Sequence, residues 1–535
     1  MRARWTTLLF LSRCVFFSPP MLPLPFLRRS CLLAIAAVLG LASPIHGQQP
    51  DEAATQLLPG ETGDAALPDT SEAITYEDAV QLALERNYQL RQSRNNVATQ
   101  SISVDQNRAE YYPNLNVSAG GSRDFGRNFS QSEGGIISQT SNSANFGASS
   151  SYTIFDGFRR DATLDQAQAR TEAAGNTLQR TRQDVVYQVL QRYIGLAQNR
   201  ALVEVRREQL QLRREQLEQT QAQIEVGEKA PSAVYQLQAD VASARQRLVE
   251  ARRNAQISKT ELVRLLVLDP FSRYTFETEG LRSRLDTGQA PRPYRLDALL
   301  ATAYQERADL RAQRASINAD EQGVRAARAG WWPRLTLSAS YGSSYYSLSE
   351  RPVEGTGVPP ETVQITPDGG GEPIEIAVPG TGRPPERRRP GFFDQLDARR
   401  GGGISLSLSY PLFDRFQRSY NIEQEQVQLQ NARFQKELLR QNIAVEVRQA
   451  LVSYRNARTQ LEVANEQLQA ARQAQEAAQE RYRLGANTYV ELAEANAALA
   501  DAQTNRVSAQ FELLLQRERI DYITGTLDPE APLAR

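Results

Sequence analysis

Two long stretches of the chain carry apolar residues at a strict seven-residue spacing. The first stretch is formed by Val189, Leu196, Val203, Leu210, Leu217 and Ile224. The second repeats it 258 positions later with Val447, Tyr454, Leu461 and Leu468, after which Gln475 interrupts the series and Tyr482 resumes it. A seven-residue apolar repeat predicts long helices that supercoil left-handedly around their neighbours.

A glycine interrupts each of these stretches, Gly227 in the first and Gly485 in the second. Because glycine readily takes the left-handed conformation that ends helices, each stretch is predicted to be a helical hairpin with its tip at the glycine. The first arm, from Gly157 to Val226, would be on the order of 100 Å long at the helical rise per residue. No compact domain needs such a helix, which indicates that reach is part of the function.

Four shorter segments change from the helical spacing to strict alternation of apolar with small or polar residues. Alternation of this kind predicts β-strands with one apolar face. A polar loop over about 127–143 would join the first two strands. The apolar positions are Leu115, Val117 and Ala119, then Phe146, Ala148, Tyr152 and Ile154, then Leu335, Leu337, Ala339 and Tyr341, and finally Ile404, Leu406, Leu408, Tyr410 and Leu412.

These elements predict a duplicated chain, each copy being helix, strand, strand and long helical hairpin. The first helix of each copy is expected to be continuous, and Thr75 with Asp78 predicts a capping box at the start of the first. The predicted segments are a signal peptide over 1–47, a disordered lead-in over 48–74, a first repeat over 75–268, a linker over 269–293, a second repeat over 294–526 with a long mobile or partly disordered loop over 350–400, and a short tail over 527–535.

The N-terminal leader predicts export. Arg28 and Arg29 precede an apolar run over 31–42, which has the length of a secretory signal and is too short to span a bilayer. Met21 is a candidate start site that would give a signal peptide of ordinary length. No later apolar run is long enough to predict a transmembrane helix.

Composition argues against catalysis and against nucleic acid as a partner. The chain has 62 basic and 62 acidic residues with interspersed signs, so no basic patch is predicted. Both cysteines, Cys14 and Cys31, and the single histidine, His46, lie in the leader. Without them the exported chain has no thiol nucleophile, no Cys/His zinc site and no histidine base. We therefore expect no enzyme, no cofactor and no metal.

Aromatic residues cluster at the ends of the predicted strands, as in the two interfacial girdles of membrane β-barrels. The alternatives are core aromatics at a junction between strands and helices, and half of a soluble sandwich. Four strands cannot close a membrane barrel, which needs about eight, and a water-filled lumen needs more. Three copies would supply twelve strands, so a homotrimer is predicted. The interface aromatics nearest the helices are Tyr111, Tyr112, Tyr152, Phe155, Trp331, Trp332, Tyr410 and Phe413.

The duplicated layout resembles the outer-membrane efflux proteins of the TolC type over about 75–533. The most specific similarity lies in the second tip, Tyr482 to Leu492, and in the strand exit, Tyr410 to Asp414. The resemblance implies a mainly α protein with a small membrane β-barrel, in which a trimeric 12-stranded barrel stands on an α-helical periplasmic tunnel. It also implies a passive duct in the outer membrane of a Gram-negative bacterium, serving tripartite efflux or type I secretion.

The same resemblance implies roles for residues at the tips. Val226, Gly227, Leu484 and Gly485 would contact a periplasmic adaptor protein, which joins the duct to an inner-membrane transporter. Glu491 and Glu494 occupy the positions of carboxylates at the periplasmic entrance, where three copies would form acidic rings that favour cations. A plain hairpin turn and a solvated helix face are the alternatives for these residues.

Two other classes of protein remain open from the sequence. A soluble periplasmic coiled-coil adaptor or scaffold would have the long helices without a membrane sheet. A periplasmic enzyme would need a catalytic cluster, but the acidic pairs lie on long charged helices, and neither Gly369–Gly371 nor Gly401–Gly403 is followed by the Lys-Ser/Thr of a phosphate loop.

Overall fold

The computed structural model describes residues 73–130, 134–225, 232–278, 293–354, 356–357, 359–365, 372–378 and 385–528. The predicted signal peptide, nearly all of the lead-in, most of the linker and most of the tail lie outside these residues.

The first helix of each repeat is broken, whereas the sequence predicted a continuous one. Helix α1 (Tyr76–Arg86) begins at the predicted capping box, in which Thr75 Oγ1 accepts a hydrogen bond from the Asp78 backbone and Asp78 accepts one from Thr75 N–H. Asn87 then takes an extended conformation, with ψ 124°, and its side chain caps α2 (Tyr88–Ala109). A side-chain cap inside the segment allows a new helix to start there.

The second repeat begins with the same break. Helices α5 (Leu296–Glu306) and α6 (Ala308–Arg328) are separated by Arg307, whose ψ is 120°. Position 307 is 220 residues after 87, the offset that separates the two repeats in this region. The Arg307 side chain is buried and binds Asp309 at 2.6 Å and Glu446 at 2.6 Å, so ion pairs rather than an N-cap side chain hold this break.

Each long hairpin begins with a 67-residue helix. Helix α3 (Arg159–Glu225) is followed by α4 (Ser232–Leu265), and α8 (Gln417–Arg483) by α9 (Tyr489–Thr524). Helix α3 packs against α2, α4, α6 and α9, while α8 packs against α5, α6 and α9. The predicted heptad residues Val189, Leu196, Val203 and Leu210 are buried along α3. The predicted helical hairpins are therefore confirmed over the described residues.

The core is divided along these helices. One cluster surrounds Tyr193 and Leu190 of α3 and includes residues of α1, α4 and α9. A second surrounds Ile443 and Val447 of α8 and includes residues of α5, α6 and α9. Helix α9 contributes to both clusters, with Phe511 in the first and Ile520 in the second, so it connects the two repeats.

The four strands predicted from alternation form one antiparallel sheet in the order β1-β2-β3-β8. Its members are β1 (Asn116–Ser130), β2 (Gly135–Phe155), β3 (Arg334–Tyr346) and β8 (Gly401–Ser409). Strands β1 and β2 run through most of the segment predicted as a polar loop, because their backbones pair from Asn116–Ser149 to Ser130–Gly135. Polar side chains do not prevent that pairing, since the ladder uses backbone groups alone.

The segment predicted as a long mobile loop contains ordered elements. Strands β4 (Arg351–Pro352) and β7 (Arg387–Arg388) pair antiparallel, as do β5 (Thr362–Ile365) and β6 (Ile374–Ala377). Helix α7 (Phe392–Ala398) then packs on β3. These short elements satisfy backbone groups locally, although their composition, rich in Pro and Gly, gave no periodic signal.

Candidate functional site

The tip of the second hairpin is a glycine-dependent helix end followed by a capped helix start. Gly485 has φ +72°, its N–H donates to Tyr482 O at 3.2 Å, and the Ala486 N–H donates to Arg481 O at 2.8 Å. This pair of bonds is a Schellman motif, so the predicted left-handed helix end at Gly485 is confirmed. Leu484 lies beside it and is 68% exposed. Val226 and Gly227, the predicted first tip, lie outside the described residues.

The two predicted entrance carboxylates lie at the start of α9. Glu491 is in its first turn, where the backbone N–H donates to the capping hydroxyl of Thr488 at 3.4 Å, and Glu494 follows one turn later. Both are exposed. Residues three apart share one helix face, and negative charge is favoured at a helix N-terminus. The geometry therefore presents two carboxylates together next to the tip.

A contact between the two hairpins is made by Tyr489, the first residue of α9, two positions before Glu491. The Tyr489 hydroxyl on α9 donates a hydrogen bond to Asp240 on α4, and Arg213 on α3 lies 3.9 Å from the same carboxylate. Burial, followed by the bond to Asp240, raises the pKa of Tyr489 well above its ordinary value. The hydroxyl is thus a proton donor throughout the physiological range, and the contact joins the two repeats near the tip.

A buried polar layer joins α9 to α3 and α8 about two turns further along α9. Asn496 is 3% exposed, and its amide donates to Gln216 of α3 at 3.3 Å. Gln475 of α8 donates to Asn496 at 3.3 Å. The interruption of the heptad series at Gln475 therefore marks a hydrogen-bonded crossing of three helices. Polar groups inside a coiled coil specify which residues face each other, because a shifted register leaves them unpaired.

At the other end of the long helices, the chain turns from strand to helix in the same way in both repeats. Asp156 binds Arg160 at 3.1 Å, and 258 positions later Asp414 binds Arg418 at 2.7 Å. The Arg160 guanidinium lies over the rings of Tyr111 and Tyr152, and that of Arg418 over Trp331. The backbone turn uses left-handed residues in both copies, namely Gly157, Phe158, Arg415 and Phe416.

The eight aromatics predicted for the interface nearest the helices lie at this strand end of the helices. Phe155 and Trp332 are brought together, with ring centroids 6.4 Å apart. Phe413 packs against Phe416 at 5.7 Å, whereas Tyr112, Tyr410, Trp332 and Phe413 all leave most or about half of their surface exposed. Together they form a partly exposed aromatic zone between the sheet and the helices.

Sequence reasoning missed the groups that join the repeats. Tyr489 stands within the tip motif, but its partner Asp240 lies 249 positions earlier and no local pattern connects them. Gln475 carried a signal, since it interrupted the apolar series, but Asn496 and Gln216 did not. The repeated Asp156–Arg160 and Asp414–Arg418 pairs could have been found by aligning the two copies.

Within the described residues, no cluster of three His, Cys, Asp or Glu side chains is arranged to hold a metal ion. Within the same residues, no helix combines the length and the apolar character needed to cross a bilayer.

Comparison with known proteins gives a consistent result. Residues 79–266 and 299–526 both match the family model described as outer membrane efflux protein. No curated protein matches the chain. Among solved structures, the chain is similar to CusC, with TM-score 0.65, 16% identity and coverage of 84% of this chain and 92% of that one.

Two further solved structures are similar to a comparable degree. The outer membrane protein VceC of Vibrio cholerae gives TM-score 0.64 at 18% identity, with 84% of this chain and 96% of that chain covered. The CmeC outer membrane channel of Campylobacter jejuni gives 0.64 at 16% identity, with 92% and 95% covered. At these identities the likeness establishes the shared fold.

Proposed function

The chain belongs to the outer membrane efflux protein family, and from that premise we propose that three copies assemble into one continuous duct. Members of this family are outer-membrane channels of tripartite pumps, so the chain is an efflux channel in the outer membrane of a Gram-negative bacterium. The family match covers both repeats, and a soluble periplasmic adaptor or scaffold is therefore not favoured. A channel family is also not a family of enzymes.

The proposal of a trimer is based mainly on the unpaired edges of the sheet. Strands β1 and β8 each have a single neighbour in the sheet, and all nine residues of β8 are exposed. Unpaired edges are sites for pairing with another chain. We propose that β8 of each copy pairs with β1 of the next, which closes a 12-stranded barrel with its apolar face, including Leu406 and Leu408, towards lipid.

An exposed apolar stripe on α8 supports the same assembly. Its residues repeat at spacings of seven and four, which is the pattern of a coiled-coil seam, and each is about half exposed or more. Helix α8 packs against α5, α6 and α9 with other faces. Burial of the stripe against the neighbouring copy would continue the barrel as a helical tunnel. The residues are Val427, Phe434, Leu438, Val445 and Val452.

The aromatic zone and the tips complete the proposed duct. Tyr112, Tyr152, Phe155, Trp332, Tyr410 and Phe413 would lie at the periplasmic lipid interface, which suits rings with one apolar and one wet side. The exposed Leu484 and Gly485, together with Val226 and Gly227, would contact the adaptor that connects the duct to an inner-membrane transporter. Glu491 and Glu494 would line the entrance.

The test is to separate inner and outer membranes, extract the protein in mild detergent and measure its oligomeric mass and conductance. A trimer from the outer membrane that conducts ions in a planar bilayer is expected. Cross-linking from Leu484 should then capture the adaptor, with the exposed Val463 in the middle of α8 as a control position. A monomer or dimer in detergent, or a trimer without conductance, would refute the duct.

A further inference from the structure

Helix α7 lies on the apolar face of the sheet. The Phe392 ring packs against Tyr345 with centroids 4.9 Å apart and against Phe146 at 6.4 Å. The Ser343 hydroxyl donates to Leu396 O at 2.5 Å. Side chains alternate between faces along a strand, so Ser343 and Tyr345 share the face of Leu337. This is the face that would meet lipid in the proposed barrel.

The helix is fixed in this position by a buried amide. Gln395 is 1% exposed, accepts a hydrogen bond from Tyr346 N–H at 3.0 Å and donates one to Pro390 O at 3.1 Å. Phe393 packs edge-to-face on the Phe392 ring, with centroids 5.3 Å apart, and is 81% exposed. A helix held in one position, with an exposed aromatic ring next to an apolar sheet, is suited to the membrane boundary between lipid headgroups and acyl chains.

The segment leading into α7 presents an unneutralised pair of arginines. Arg351 and Arg388 are direct cross-strand partners in the β4–β7 pair, and both are exposed. Directly opposed side chains lie roughly 5 Å apart at Cβ, and like charges there oppose the pairing. Their like charges therefore favour a bound anion between them.

Two carboxylates of this region are engaged with other arginines. Glu350 binds Arg389 at 3.3 Å, and Asp397 binds Arg400 at 2.9 Å. Over the described ranges, no side chain forms an ion pair or hydrogen bond with the guanidinium of Arg351 or Arg388. Two adjacent guanidinium groups that form no ion pair can bind phosphate through paired N–H donors.

We propose that Arg351, Arg388 and Phe393 form a binding site for the phosphorylated glycolipid of the outer leaflet. The two guanidinium groups take a phosphate of the headgroup, while the Phe393 ring enters the adjoining acyl layer. This inference rests on the proposed barrel, which places the apolar face of the sheet in lipid. A diphosphoryl glycolipid fits because it carries phosphate and acyl chains in one molecule, as the chain carries Arg388 and the exposed Phe393 five residues apart.

The experiment uses the full chain in nanodiscs of zwitterionic phospholipid with fluorescent diphosphoryl lipid A as probe. The variant Arg351→Gln/Arg388→Gln should weaken binding at least tenfold, and Phe393→Ser several-fold. The matched control is Arg455→Gln/Arg472→Gln, which removes the same charge from exposed positions of α8. It should bind the probe like the wild type. Arg351→Lys/Arg388→Lys keeps the positive charges but lacks the paired N–H donors of a guanidinium group, so it should give intermediate binding.

Two further arms identify the ligand. Dephosphorylated lipid A should bind wild type and Arg351→Gln/Arg388→Gln equally weakly, and inorganic phosphate should not displace the probe. Unchanged binding by the double variant, an equal loss in the α8 control, or displacement by inorganic phosphate would each overturn the glycolipid site. These results leave trimer mass and conductance untouched, so they are distinguishable from failure of the duct, which those two measurements report.

Discussion

The Tyr489 hydroxyl donates a hydrogen bond to the Asp240 carboxylate, so the start of α9 in the second repeat is tied to α4 in the first. Arg213 lies 3.9 Å from the same carboxylate and adds a third helix to the contact. Because this contact connects the two hairpins close to the tip, a movement that separates the hairpins must break it. It therefore acts as a restraint on any widening of the proposed entrance.

Replacing Tyr489 by Phe should release this restraint. A hydrogen bond to a charged group contributes about 1.5–3 kcal/mol, which corresponds to a tenfold or larger change in an equilibrium between tied and separated tips. Single-channel recording of Tyr489→Phe should show a larger open fraction or conductance than wild type. Tyr235→Phe, an exposed tyrosine on α4, should leave the recording unchanged. Equal currents from Tyr489→Phe and wild type would contradict the restraint.

The polar layer of Gln216, Gln475 and Asn496 should respond in opposite ways to single and triple replacement. Asn496→Leu leaves both glutamines without this partner in a buried site, at a cost of about 1–3 kcal/mol in unfolding free energy. Replacing all three by Leu removes the three polar side chains of the layer itself and should recover most of that loss. Denaturant midpoints in detergent test this. A triple variant as unstable as Asn496→Leu would show that the layer does not act as one unit.

Two left-handed glycines should differ sharply in their tolerance of alanine. Gly485 has φ +72° and open space around the position of a Cβ, so Gly485→Ala should cost only the conformational strain of about 1–2 kcal/mol. Gly157 has φ +74°, and a Cβ there would lie 2.6 Å from both Ala329 O and Trp332 Cβ. Gly157→Ala should therefore be much more destabilising, because the two repeats must move apart.

Thermal midpoints and the yield of assembled protein compare the two variants. The position equivalent to Gly157 in the second repeat is Arg415, which holds φ 57° with a full side chain. The left-handed conformation alone is thus tolerated at this turn, and crowding decides the outcome. Similar midpoints for Gly157→Ala and Gly485→Ala would show that the close approach to Trp332 relaxes at little cost.

The entrance carboxylates should set ion selectivity without affecting assembly. Three copies of Glu491 and Glu494 would place six negative charges around one opening, which favours cations. Glu491→Gln/Glu494→Gln should lower the ratio of potassium to chloride permeability in reversal-potential measurements. Glu466→Gln/Glu476→Gln removes equal charge from exposed positions on α8 and serves as the control. An unchanged ratio in the first variant would place both residues on a solvated face away from the current.

Asp309 should make the helix break at Arg307 sensitive to acid. Burial opposes ionisation of Asp309, but the hydrogen bonds and charge of Arg307 outweigh it and hold the pKa of Asp309 below its ordinary value of 3.8. A lowered folded pKa means that the stabilisation is complete above the unfolded pKa and is lost as pH falls through the folded one. Asp309→Asn should cost about 2 kcal/mol at pH 7, and the difference should shrink below about pH 4. Thermal midpoints across that range provide the measurement, and a constant difference would contradict the linkage.

Local and periodic features were predictable from the sequence. The heptad residues of α3 predicted a long helical hairpin, and Gly485 predicted a hairpin tip. Thr75 predicted the start of α1. Each of these features depends only on residues nearby in the chain. The breaks at Asn87 and Arg307 were not predicted, since an isolated Asn or Arg leaves the apolar period unchanged. Arg307 in particular ends its helix through Glu446, which is 139 positions away in the chain.

The candidate site shows the same difference between local features, which the sequence predicts, and long-range contacts, which it does not. The carboxylates at 491 and 494 and the exposed Leu484 follow from a motif and its geometry. The partner of Tyr489 depends on how two repeats pack, and the position of α7 depends on Gln395 reaching the backbone of Tyr346. Long-range hydrogen bonds of this kind have no period and no local composition, so the sequence contained no signal for them.

The unequal strand lengths have a consequence for the outer surface of the cell. Strand β1 has 15 residues and β8 has 9, and β2 pairs with β3 only from Ser143 onwards. Beyond that point each β1–β2 ribbon would continue alone for the eight residues of β1 that follow Ser122, roughly 26 Å past the shared ladder. Three such ribbon ends would extend above the lipid, where antibodies and proteases in the medium can reach them. Residues 32–535 contain no cysteine, so a single cysteine introduced at the end of the β1–β2 ribbon could be labelled specifically on living cells.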